Sequence, residues 1–179
     1  MKILALDSSG LVASVAVVEN DTLLAEYTVN YKKTHSQTLL PMLDEISNMT
    51  ELDLSTIDAI AVAGGPGSFT GLRIGSATAK GLGLALEKPL ISIPTTAAIA
   101  YNIWDTDKFV CPIMDARRNQ VYTGVYCYTD HRLDTVWEQD TMSIEALAEG
   151  LNCLDHEVIF LGDGVAVYRE KLEALLTIP

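Results

Sequence analysis

The chain has 179 residues, 49% of them apolar, and a formal net charge of −12. That length supports one ordinary domain or two small ones, and the apolar content excludes global disorder. The negative charge argues against direct non-specific nucleic-acid binding, because phosphate attraction supplies most of that affinity; a role in nucleic-acid metabolism through a basic partner stays open.

Cys111, Cys127 and Cys153 are odd in number and widely spaced. They point to a reducing compartment and no zinc ribbon, and read as small core or near-core residues. Met1 to Asp7 is short and ends in a charge, unlike a signal peptide. No apolar run reaches the ~18 residues a membrane span needs. The expected location is cytoplasmic, away from membranes.

In chain order, Ile3 to Leu6 reads as a buried strand, and Asp7-Ser8-Ser9-Gly10 as a polar turn. Val12 to Val18 and Leu23 to Val29 are two more strands, making an antiparallel meander. A helix is predicted from about Gln37 to Met49, with Thr34 or Ser36 as its cap and Pro41 in its first turns. Leu39, Leu43 and Ile46 lie on one helical line, with Leu40 and Met42 beside it. His35 reads as a hydrogen-bonding residue of the cap region; a ligand or catalytic role is the alternative.

The stretch from Ile57 to Gly75, IDAIAVAGGPGSFTGLRIG, carries the most information. A buried-type strand, Ile60 to Ala63, runs through Gly64, Gly65, Pro66 and Gly67 into a helix from about Leu72 to Leu86. Two readings stand for the turn. It is an anion nest whose N–H groups face phosphate, or it is a tightly packed turn with no ligand. Gly65-x-Gly67-x-x-x-Gly71 is one residue too long for the dinucleotide fingerprint. Gly71 is followed by Leu72 and Arg73, unlike a P-loop. The helix tolerates Gly75, Gly81 and Gly83, each costing about 1 kcal/mol against alanine, which suggests close packing on another backbone. Leu90 to Ile93 is a short strand, and Pro94-Thr95 starts a helix reaching Trp104.

After Asp105-Thr106-Asp107 the first pattern returns. Val110 to Met114 is a strand ending at Asp115, followed by the turn Ala116-Arg117-Arg118-Asn119. Val121 to Tyr128 is a strand and Thr135 to Trp137 a weak one. Ile144 to Leu151 is helical, Val158 to Leu161 a strand, and Val165 to Leu176 helical. Strand–Asp–turn–strand–strand–helix–strand–Gly-turn–helix thus occurs twice. The duplication predicts an α/β protein of two ribonuclease-H-like lobes, of the actin, hexokinase and sugar-kinase (ASKHA) type, with mixed sheets flanked by helices. The first lobe would span 1–104 and the second 105–179. The second copy lacks the further strand and helix of the first, so a C-terminally truncated lobe is expected. In such a fold Asp7 and Asp115 would flank magnesium and phosphate, with Gly65 and Gly67 as further nucleotide contacts; equally, each aspartate merely caps its turn.

The chain resembles the TsaB family, also called YeaZ. The resemblance rests on Ile3-Leu4-Ala5-Leu6-Asp7-Ser8-Ser9, on His35-Ser36 with Leu39-Leu40-Pro41, and on Gly64 to Gly75, GGPGSFTGLRIG. Ala79-Lys80-Gly81-Leu82, Asp115-Ala116-Arg117 and Gln120-Val121-Tyr122 extend it. Family members usually continue about 50 residues further. The resemblance implies a bacterial protein needed for threonylcarbamoyl-adenosine at position 37 of transfer RNAs that read codons beginning with A. It implies a scaffold without catalytic residues, cofactor or metal, beside the catalytic paralogue TsaD and the ATPase TsaE. It also implies pairing through first-lobe helices, with the paralogue or as a homodimer when alone. Transfer RNA would be met only through the complex. The paralogue holds its metal with H-x-x-x-H, and here Leu39 stands four residues after His35. The candidate interface is Leu39, Leu40, Met42, Leu43 and Ile46, with Gly75 and Ala79 on the adjoining helix. Tyr122, Tyr126 and Tyr128 read as packing residues, and Arg73, Arg117 and Arg118 as surface ion pairs or anion contacts. The competing function is an ATP-dependent enzyme of the actin-like kinase or acyltransferase class, using Asp7, Asp115 and the glycine turn. A protease is a weaker third.

Overall fold

Alternation of buried and half-buried side chains organises the first sheet. In β2 (Ala13–Glu19), Ala13, Val15 and Val17 point into the core, as expected of a strand with one covered face. β2 pairs antiparallel with β1 (Lys2–Asp7) and with β3 (Thr22–Val29). β1 also pairs parallel with β4 (Ala59–Gly65), which pairs parallel with β5 (Leu90–Pro94). The order is β3-β2-β1-β4-β5. The computed structural model describes residues 1–31 and 34–178, and the described chain divides into two units, Met1–Thr95 and Thr96–Pro179.

Two helices cover one face of this sheet. α1 (Leu39–Thr50) contributes Leu39, Met42, Leu43 and Ile46, and α2 (Phe69–Leu86) contributes Ala79, to a core built on Leu4, Leu6, Val15, Val17, Ile60 and Val62. α1 starts later than predicted, at Leu39. A 3-10 turn, His35–Gln37, precedes it, and its cap position is Thr38, which makes no side-chain capping bond. Thr34 and Ser36 bond each other through their hydroxyls instead (3.2 Å). α2 starts earlier than predicted, at Phe69, because Ser68 caps it by accepting the Gly71 N–H (3.2 Å).

α3 (Thr95–Ala100) is shorter than the predicted helix to Trp104. It closes with the Asn102 N–H and side-chain amide both donating to the Ile99 carbonyl region, at 3.1 and 2.9 Å. The unit boundary falls inside this helix, upstream of the Asp105 turn where the sequence pattern changes. Tyr126 and Thr96 account for that: their hydroxyls bond at 2.7 Å in a buried site, and Thr96 also donates to Gln139 (3.0 Å).

The second unit repeats the first. β6 (Phe109–Arg117) pairs antiparallel with β7 (Gln120–Thr129) and parallel with β9 (Val158–Leu161), and β7 pairs antiparallel with β8 (Arg132–Ser143). The order is β8-β7-β6-β9. β8 is a full strand rather than the weak Thr135–Trp137 segment: pairing along all of β7 overrides the low strand propensity of Asp134, Glu138 and Asp140. α4 (Ile144–Leu154) and α5 (Gly164–Leu175) pack Ile144, Leu147, Leu151, Tyr168 and Leu172 on Cys111, Ile113, Val121 and Val125. Ser143 caps α4 through the Ala146 N–H (3.2 Å).

Candidate functional site

The glycine turn after β4 docks on the turn after β1. Ser68 N–H donates to the Ser9 carbonyl (2.7 Å), and the buried Ser8 hydroxyl donates to the Gly71 carbonyl (2.9 Å). A side chain at Gly67 would bring its Cβ within 2.4 Å of the Ser9 carbonyl oxygen, and Gly67 has φ +156. At Gly71 the same atom would lie 2.0 Å from the Ser8 carbonyl oxygen. Gly65, at φ +107, turns the chain out of β4 in a conformation that favours glycine. These contacts use the Ser68 and Gly71 N–H groups inside the fold and match the packed-turn reading of the glycines. Gly75 serves the same docking, against the Ser8 hydroxyl, and Gly83 faces Leu90 of β5. Gly81 has open space around it, and the atoms nearest Gly75 and Gly83 are side chains, of Ser8 and Leu90, rather than the other backbone the sequence suggested.

The two aspartates do matching work, each in its own unit. Asp7 Oδ1 accepts the Ser9 N–H (2.7 Å), and Asp115 Oδ1 accepts the Arg117 N–H (2.9 Å). Both are side-chain turns closing two residues on, the form in which aspartate stabilises a strand end. Asp115 also takes a hydrogen bond from Tyr168 (3.1 Å) and a salt bridge from Arg117 (3.1 Å). Burial, then the Asp115 carboxylate, push the Tyr168 hydroxyl above its ordinary value. The β6–β7 turn holds Arg117, Arg118 and Asn119 at φ 69, 53 and 62, and the Asn119 amide reaches Glu145 (3.2 Å).

His35 is engaged within the fold: its Nε2 bonds the Gly10 carbonyl at 2.9 Å, so that nitrogen carries the proton. Leu39, four residues on, is 2% exposed. Among the described residues no group of three or more His, Cys, Asp or Glu is arranged to hold a metal. No described helix is long and apolar enough to cross a membrane. Cys111 is buried, Cys127 half-buried and Cys153 exposed, so Cys153 departs from the near-core expectation. Tyr126 is buried and Tyr122 and Tyr128 half-buried, consistent with packing.

The outward faces of α1 and α2 differ from the interface read from the sequence. Leu39, Met42, Leu43 and Ile46 are at most 4% exposed, and Gly75 and Ala79 are buried, so those six face the core. Only Leu40, 53% exposed, points out. The sheet takes the broad arc of α1 nearly whole. The outward residues missed are Met49 on α1 and Phe69, Arg73, Ala77, Lys80 and Leu84 on α2. Those on α2 follow one another at single helical turns, a visible period, but a helix begun at Leu72 loses Phe69. Arg73 lies over the Phe69 ring at 4.0 Å. Phe69, Leu72, Arg73, Ser76, Ala77 and Lys80 line a shallow depression of about 340 Å³.

The duplicated unit, each copy opening on a strand that ends in an aspartate turn, defines an ASKHA-type α/β protein. An exopolyphosphatase from Cytophaga hutchinsonii shares that fold, at a TM-score of 0.50 and 11% identity over 98% of this chain and 74% of its own. The family model described as TsaD, tRNA N6-adenosine threonylcarbamoyltransferase, matches residues 22–176. A tRNA threonylcarbamoyladenosine biosynthesis protein TsaB of Bacillus subtilis is 35% identical over 98% of this chain and 77% of its own length. YeaZ from Pseudomonas aeruginosa superposes with a TM-score of 0.83 at 29% identity, over 99% of this chain and 80% of its own. The chain belongs to the TsaB family of tRNA threonylcarbamoyladenosine biosynthesis proteins, within the wider TsaD-related group.

Proposed function

We propose that the chain is the non-catalytic scaffold subunit of the assembly that threonylcarbamoylates adenosine 37 of transfer RNA. It works beside the catalytic paralogue TsaD and the ATPase TsaE in the cytoplasm, and meets transfer RNA only through them. The observation that carries this reading is the use of His35. Its ring is committed to the Gly10 carbonyl, and the position where the paralogue keeps its second metal-binding histidine is Leu39, in the core. The docking of Ser68 and Gly71 on Ser8 and Ser9 supports the same reading, because it gives the glycine turn a structural role. Family membership supplies the pathway.

The partner surface in this reading is the outward face of α1 and α2: Leu40, Met49, Phe69 and Leu84 are each more than half exposed. An apolar surface of this kind is a docking site for another protein. It takes the paralogue, or a second copy of this chain when the paralogue is absent, with a buried area of about 1,200 to 2,000 Å². Reconstitution tests the proposal. Modification of transfer RNA by the paralogue and ATPase should require this chain. The chain alone should hydrolyse ATP far below about 1 s⁻¹, the low end of ordinary enzymes. Turnover at that rate by the isolated chain, or full modification without it, sinks the scaffold reading and favours the actin-like enzyme.

A further inference from the structure

Trp104 and Tyr101 of the second unit are 64% and 54% exposed. Both follow α3, and Trp104 meets the half-buried Tyr128 of β7 at a ring-centroid distance of 5.5 Å and an angle of 64°. Rings so inclined form a corner rather than a stack. Asp105, next in the chain, is tied to the tip of the β7–β8 hairpin, where His131 Nδ1 bonds its carboxylate at 2.6 Å. That tip holds Asp130 and His131 at φ 49 and 63, the backbone of a tight two-residue turn. The aromatic corner is thus mounted on two turns bonded to each other.

Those turns are acidic. Residues 105–107 and 129–132 carry Asp105, Asp107 and Asp130, all exposed, against Arg132 and His131. The Tyr128 hydroxyl is buried and has no hydrogen-bond partner among the described residues. Burial, then the nearby Tyr101 and Asp105 groups, raise it above its ordinary value. With no bond to hold it, that hydroxyl can turn its hydrogen away from an incoming positive charge.

We propose that Tyr101, Trp104, Tyr128 and Asp105 form a seat for an arginine side chain presented by a basic segment of a partner protein. Ring faces are negative, so a cation within about 6 Å of a ring centroid is attracted, most strongly by tryptophan. A guanidinium uses the whole seat: its flat face stacks on a ring while its edge donates to the Asp105 carboxylate. A lysine ammonium has no plane to stack and holds its water more tightly. A purely apolar partner would bury Asp105 without a counter-charge. An RNA strand could stack on Trp104, but its phosphates would meet Asp105, Asp107 and Asp130. The net charge of −12 favours encounter with a basic protein in the same direction. The seat lies in the second unit, and α1 and α2 in the first, so its occupancy is read separately from pairing through those helices.

Titration of the full chain with hexa-arginine tests this, read by calorimetry and by the two indole N–H signals, of Trp104 and Trp137, in nuclear magnetic resonance. Trp104→Leu keeps an apolar cover beside Tyr128 and removes the ring. Asp105→Asn removes the charge, and Asp21→Asn removes the same charge from the exposed β2–β3 turn as a control. Circular dichroism checks that each is folded; should Trp104→Leu not fold, Asp105→Asn and the wild-type indole signals decide. Hexa-arginine should move the Trp104 signal and leave that of Trp137. Both seat variants should bind it at least about fivefold more weakly, within the range of a desolvated cation–π contact, while Asp21→Asn changes binding less than about twofold. Hexa-lysine should bind at least about threefold more weakly than hexa-arginine. Equal weakening by all three variants would reduce the effect to general attraction to an acidic chain and overturn the seat. So would hexa-lysine binding as tightly as hexa-arginine, or an unmoved Trp104 signal. A single-stranded RNA that moves the Trp104 signal at lower concentration than hexa-arginine would overturn the protein partner in favour of a base-stacking surface.

Discussion

Replacing Gly71 by alanine adds one methyl group at the joint between α2 and the β1–β2 turn. Its Cβ would stand 2.0 Å from the Ser8 carbonyl oxygen and 3.2 Å from the carbonyl carbon. Ordinary contact needs about 3.5 Å, so the two segments must part by roughly 1.5 Å. The buried bond from the Ser8 hydroxyl to the Gly71 carbonyl, now 2.9 Å, then lies beyond hydrogen-bonding range. Leaving those buried groups unsatisfied costs about 1–3 kcal/mol, and the strain of overpacking about 1–3 kcal/mol more. The better helix propensity of alanine returns about 1 kcal/mol. A net loss of about 3 kcal/mol is a large part of an ordinary domain's stability, and lowers the melting temperature of a chain this size by roughly 6–12 °C.

Gly81→Ala is the internal control. It lies in the same helix with no atom within 4 Å of the added Cβ, so it should stabilise, by up to about 1 kcal/mol. Both tryptophans, Trp104 and Trp137, lie in the second unit, so their fluorescence reports on the wrong half. Far-ultraviolet circular dichroism, with amide hydrogen exchange of β1 and α2, reads the first unit directly. A Gly71→Ala protein that melts within about 1 °C of the wild type would contradict the tight joint at Ser8, as would a Gly81→Ala protein that loses as much as Gly71→Ala.

Two further outcomes are expected. Burial pushes the Cys111 thiol up to about 12, so at pH 8 a thiol reagent should label exposed Cys153 in the native protein and reach Cys111 only on unfolding; mass spectrometry of labelled peptides checks it, and fast native labelling of Cys111 contradicts the packing described. The Lys171 ammonium, bonded to Glu145, holds that carboxyl below its ordinary value, so this pair's stabilising effect is present above the unfolded carboxyl's range and fades as pH falls through the lower folded value; Lys171→Met should move the Glu145 titration upward by nuclear magnetic resonance, and an unmoved titration would assign the shift elsewhere.

Much of the architecture was legible in the amino-acid order because it rests on local pattern. Alternation marks β2, a short polar turn after a buried strand marks Asp7 and Asp115, and the recurrence of that pattern marks two units. An aspartate reaching an amide two residues on needs only its own backbone, and both do so as the turns suggest. The packed reading of the glycine turn and the anion-nest reading were equal on sequence. What the structure adds to the packed reading is Ser8 and Ser9, more than fifty residues away in the chain and in contact with Ser68 and Gly71 in space.

The tertiary structure alone decided which lines of each helix face inward. Periodicity shows that α1 has a broad apolar arc, but how much of that arc the sheet covers depends on where β2 and β3 lie beneath it. They take Leu39, Met42, Leu43 and Ile46 and leave Leu40 outside. The extent of β8 was likewise set from outside its own sequence, by the ladder offered by β7, and the exposure of Cys153 by where α4 meets solvent. Local backbone chemistry is written residue by residue; the burial of one face rather than another belongs to neighbours brought from distant positions in the chain, and only the folded arrangement supplies them.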